Sequence, residues 1–151
     1  MARLHSKKKG KAGTKRPKSN VAPSWVGVEK TELKEMIVKM AREGSQPTKI
    51  ALYLRDQYGV ANLRAILGMS LLAFLKKEKV APEYPEDLIN LIKKAVRIRS
   101  HIKASKKDVH NKVKLGHVES KISRLVKYYS SKGMLPKGWK YDEGQVALIV
   151  K

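Results

Sequence analysis

Cysteine is absent from all 151 residues. That excludes a disulfide framework and a thiolate metal site, and it fits a reducing compartment. Acids are scarce: 13 Asp+Glu stand against 34 Lys+Arg, a formal net charge of +21. A chain so unbalanced repels itself unless a polyanion neutralises it. Nucleic acid is the leading partner, with an anionic membrane surface as the rival. No apolar run reaches the roughly 18 residues that a membrane span needs. No apolar segment follows the basic N-terminus, so it does not read as a secretory signal. Phenylalanine occurs once and tryptophan twice, so the basic segments lack the interleaved aromatics of a membrane-surface helix.

What is present begins with an arm. Residues 1–20, MARLHSKKKGKAGTKRPKSN, hold lysine and arginine but no acid, and Gly10, Gly13 and Pro17 interrupt any periodicity. The arm reads as a segment ordered only against a partner. Lys7, Lys8, Lys9, Lys11, Lys15 and Arg16 are its candidate phosphate contacts. VAPSW closes it, and Trp25 either anchors the arm to the fold or stacks on a base.

From Thr31, a candidate N-cap, Leu33, Met36, Ile37, Met40 and Ala41 keep the spacing of one helical face, and Gly44 is a natural stop. A second helix starts with Ser45 as cap and Pro47 in its first turn, and it ends at Gly59. Two short segments follow, VANLRAILG and MSLLAFLKKEK. Tight glycine turns between short helices resemble a helix-turn-helix, so residues 45–59 offer a second reading as a DNA-binding regulator. Small helical subdomains share that pattern, and no base-reading residue opens a recognition helix here.

Pro82 and Pro85 break the chain into a loop. Beyond them, Leu88, Leu91, Ile92, Ala95, Ile98 and Ile102 form the stripe of a helix of about five turns. After a short break, capped by Ser105 or Asp108, another long helix carries Leu115, Val118, Ile122, Leu125, Val126 and Tyr129. So short a break requires an antiparallel hairpin. The stripes are then buried partly against each other and partly against the N-terminal helices. Lys94, Arg97 and His101 line one flank of the first helix. His110, Lys114, His117, Lys121, Arg124 and Tyr128 line a flank of the second. The final segment, MLPKGWKYDEGQVALIVK, reads as extended or irregular.

The most ambiguous stretch is SHIKASKKDVHNK, residues 100–112, where two histidines, two serines and an aspartate crowd together. A Ser–His–Asp triad needs a base held between nucleophile and orienter beside an oxyanion hole, and no strained elbow is near. A metal site would have at most His101, His110 and Asp108, and Lys103, Lys106, Lys107 and Lys112 oppose a cation. Polar readout fits better. His101, Asp108 and Asn111 are short groups able to enter a shallow RNA minor groove and meet 2′-hydroxyls and base edges. Asp108 can both cap the helix and accept from a guanine amino group, since a carboxylate has two oxygens. No catalytic residue, cofactor, metal or small-molecule substrate is expected.

MARLHSKKKG, LRDQYGV, PEDLINLIKKAVRIRSHI, ESKISRLVKYY and LPKGWKY together resemble the family of small-subunit ribosomal protein fifteen, in its archaeal and eukaryotic form. The resemblance covers nearly the whole chain. It implies a cytoplasmic protein of the ribosome, bound to the central domain of small-subunit ribosomal RNA early in assembly. Neighbouring small-subunit proteins and a bridge to the large subunit are implied as further partners. His101 and Asp108 match the family's minor-groove contacts, and Asn111 stands where the family has a serine. Tyr128 matches a tyrosine placed at a three-way RNA junction, and Arg124 an arginine. APEYPED replaces the loop with which bacterial relatives touch the junction, so those contacts do not carry over. The expected architecture is all-α: a basic arm (1–26), a helical module (27–80), a hairpin core (81–132) and a tail (133–151).

Overall fold

The structure is a computed structural model that describes residues 21–136 and 138–142. Among them the chain is helical with no strand. They divide into two compact units that meet between Glu83 and Tyr84. Each unit has its own buried cluster.

The first unit holds four helices: α1 (Lys30–Arg42), α2 (Pro47–Tyr58), α3 (Leu63–Leu67) and α4 (Leu71–Lys77). Leu33 and Ile37 from α1, Ile50 and Leu54 from α2, and Phe74 and Leu75 from α4 make the core. Two helix starts differ from the sequence reading. The N-cap of α1 is Glu29, and Thr31 lies inside the first turn, where its hydroxyl donates to the Glu29 carboxylate at 3.2 Å. The N-cap of α2 is Gln46 rather than Ser45. Pro47 forces the residue before it into extended backbone, so the helix can begin only at the proline itself. Gly59 closes α2 in the left-handed region, with φ 66°. Ser70 caps α4 by accepting from Ala73 N–H.

The second unit is the hairpin. Its helices are α5 (Glu86–Ala104) and α6 (Val109–Ser131). Pro85 sets the start of α5, and Asp108, not Ser105, caps α6. Leu88, Ile92 and Ala95 meet Val118 and Ile122 in a fully buried seam. The sequence reading left the tail out of the core. In the core that forms, the tail closes the seam. Leu135 is buried, and Trp139 and Tyr141 pack against the cluster. Trp139 lies 6.4 Å from the Tyr84 ring, and Arg99 sits 5.5 Å from the centre of the Tyr141 ring. The tail is irregular, yet it is structural.

Candidate nucleic-acid interface

The break between α5 and α6 is built around one carboxylate. Asp108 Oδ1 accepts the Asn111 backbone N–H at 2.9 Å, the capping bond of α6. Asp108 Oδ2 accepts the Asn111 side-chain amide at 2.6 Å and lies 2.9 Å from His101 Nε2. These contacts, led by the Asn111 backbone N–H and then His101, hold the Asp108 carboxyl well below the usual carboxylate range. An ionised carboxylate only accepts, so in this contact His101 donates from Nε2. The cluster is open to solvent: the His101 side chain is 48% exposed and that of Asp108 27%. The structure thus brings three of the sequence-derived candidates, His101, Asp108 and Asn111, into one hydrogen-bonded group at the hairpin tip. Both Asp108 oxygens already have partners within the protein, and a carboxylate with about four lone-pair sites retains capacity for one more donor.

The other candidates spread along the hairpin. Lys106 and Lys107 are exposed in the turn, as are Lys94 and Arg97 on α5. On α6, His110, Lys114, Lys121, Arg124 and Tyr128 are exposed and His117 is half-buried. From His110 to Tyr128 is about five turns, so both point the same way from the axis, roughly 27 Å apart. None of Lys94, Arg97, Lys114, Lys121 and Arg124 is paired with an acid among the described residues. Lys7, Lys8, Lys9, Lys11, Lys15 and Arg16 lie outside the described residues.

At the open end, Tyr128 is 52% exposed and stands edge-on to Tyr129, with ring centres 5.1 Å apart. Lys132 Nζ lies 6.0 Å from the centre of the Tyr128 ring. Tyr129 turns inward, and its hydroxyl donates to the Asp87 carboxylate at 2.7 and 2.8 Å. Burial first, then this bond and the Asp87 charge, push the Tyr129 phenol up to about 12. Arg99 of α5 is paired with Glu119 of α6. Both ties escape a reading by periodicity, which sees one helix at a time. The only signal for Arg99–Glu119 was the isolation of Glu119 on a basic helix.

Among the described residues no group of three or more His, Asp or Glu side chains could hold a metal, and no helix is long and apolar enough to cross a membrane. The fold and this surface define a helical protein that exposes cations and a few fixed polar groups along a hairpin. Residues 1–60 match the Ribosomal S13/S15 N-terminal domain, and residues 70–148 match Ribosomal protein S15. The chain is 43% identical over 150 residues to the small ribosomal subunit protein uS15 of Caenorhabditis elegans, covering 99% of both chains. It is 42% identical over 151 residues to uS15 of Methanococcus vannielii, covering 100% of both. The chain therefore belongs to the uS15 family of small-subunit ribosomal proteins.

Proposed function

We propose that this chain is a structural constituent of the small ribosomal subunit, working in the cytoplasm, that binds small-subunit ribosomal RNA and supports subunit assembly and translation without catalysis. One observation carries the reading: a fixed polar cluster at the hairpin tip and an exposed tyrosine at the open end are joined by a row of cations unpaired with acids among the described residues. The tip groups enter the minor groove of a central-domain helix, where 2′-hydroxyls and base edges are in reach. Tyr128 stacks at a three-way junction beyond it. Lys94, Arg97, Lys114, Lys121 and Arg124 neutralise the phosphates between, and the arm's lysines add contacts that depend on charge alone.

In this reading the arm (1–26) and the hairpin (81–132) hold RNA. Neighbouring small-subunit proteins and a bridge to the large subunit are further partners in this reading. Chemical footprinting of small-subunit RNA with and without the full chain tests it. Two separated protected regions are expected, one in a helix minor groove and one at a junction, both resistant to competition by duplex DNA at moderate salt. Protection in one region alone, or its loss to duplex DNA, would overturn the two-contact reading.

A further inference from the structure

Trp25 is the most exposed large aromatic among the described residues, at 71%, and the core of its unit does not use it. The segment is held by its neighbours. Val26 N–H donates to the Pro23 carbonyl at 3.2 Å, closing a turn with Trp25 at its corner, and Val26 and Val28 then pack against the core. The indole is nevertheless fixed. Its Nε1–H donates to the Gly59 carbonyl at 3.2 Å. Gly59 has φ +66°, and a Cβ built there would lie 3.5 Å from Trp25 Cδ1, in van der Waals contact with the ring edge. One edge of the indole is therefore tied to the end of α2 while most of its surface stays open. An anchor would show the reverse: a buried ring.

We propose that Trp25 is a stacking platform for an unpaired base of small-subunit ribosomal RNA, a third contact separate from the two on the hairpin; it rests on the RNA-binding reading above. A flat π-surface held by one edge takes a base with little further ordering, and any base has a face that fits. The base is unpaired because a continuous duplex buries its base faces and offers only edges. The α1 surface favours stacking over phosphate neutralisation. Along α1, Glu32 and Glu35 alternate with Lys30, Lys34, Lys39 and Arg42, so the helix is not a cationic edge.

The test uses the full chain, a full-length small-subunit RNA transcript, and the variants Trp25→Leu and Trp25→Phe. Dissociation constants are measured over a salt series, base-specific chemical probing maps contacts, and circular dichroism reports helix content. Trp25→Leu should weaken binding about tenfold, the scale of one lost base–aromatic stack. Its salt slope should be unchanged, because no charge is removed. One protected base outside the two hairpin regions should become reactive. Trp25→Phe keeps an aromatic face but loses the Nε1–H bond. It should retain most of the affinity and keep that base protected. Wild-type affinity in Trp25→Leu overturns the proposal and marks the surface as one for a protein neighbour. Equal loss in both variants, or a fall in helix content, overturns it in favour of a structural anchor. Absence of the two hairpin footprints in the unaltered chain would instead sink the RNA reading itself, so the two failures are distinguishable.

Discussion

Replacing Ile122 by alanine probes whether the hairpin is held by its seam. Ile122 is 0% exposed, on the α6 face that meets Leu88, Ile92 and Ala95 of α5. The change deletes three buried carbons, and at ~0.8 kcal/mol each the lost transfer energy is roughly 2.4 kcal/mol. The void between two helices and a tail closes only partly, which brings the expected cost to about 3 kcal/mol, within the range for such truncations. That is a large share of a domain stability of about 5–15 kcal/mol. Urea unfolding followed by circular dichroism at the helix band measures it. The midpoint should fall by about 1.5 M for a slope near 2 kcal/mol/M, with the slope itself unchanged. Ser123→Ala, one residue further on and exposed, is the control and should stay within about 0.5 kcal/mol. Saturating RNA should restore folding, because ligand at about 1,000 times Kd adds ~4.1 kcal/mol. A cost below about 1 kcal/mol would refute the seam argument. So would an equal loss in Ser123→Ala.

Other expectations follow from the tip, the open end and the cationic edge. Asp108→Ala removes the α6 cap and frees His101 and Asn111, so it should weaken cognate RNA more than scrambled RNA. Equal loss in parallel binding assays would count against fixed readout there. Tyr129 is neutral when bonded to Asp87, and its folded value near 12 lies above the usual phenol value. Its stabilising contribution is therefore complete below about pH 10 and lost as pH rises toward 12, so alkaline unfolding should be less pH-dependent in that window for Tyr129→Phe. Lys121→Ala should weaken binding to all RNA sequences alike and lower the salt slope by roughly 0.9. An unchanged slope would show that Lys121 meets no phosphate.

Much of this architecture is legible in the order of residues, for one reason: long helices repeat their apolar positions. Leu88, Ile92 and Ala95, with Val118 and Ile122, declare the two faces of the seam, and Asp108 before Asn111 marks a cap by residue type alone. Helix starts were less legible: Thr31 and Ser45 are good caps by type, yet the caps are Glu29 and, because Pro47 fixes the start of α2, Gln46. The tail was illegible for a different reason. Trp139 and Tyr141 fall among prolines and glycines with no repeat, so their packing depends on the groove the hairpin offers rather than on neighbours in sequence. The polar cluster at the tip could be anticipated, since its members lie within a few residues of one another. The pairing of Asp87 with Tyr129, 42 residues apart, could not, because it depends on the register of the hairpin.

That register explains how so basic a hairpin can carry acids without spoiling its cationic edges. Asp87, Asp108 and Glu119 each contact a side chain on the opposite arm: Tyr129 at the open end, His101 at the tip, and Arg99 between them. Each tie does two things. It fixes the helices against sliding at a point where apolar packing alone tolerates slip. It also directs the negative charge toward a partner within the protein, leaving the outer edge to lysine and arginine. Isolated surface pairs would contribute little to stability. Three of them placed along the hairpin matter more for geometry: they hold His101 and Tyr128 at a constant separation. On the proposed two-contact reading, an RNA with two features at that spacing would meet a surface already set, and little of the binding energy would be lost to ordering the protein.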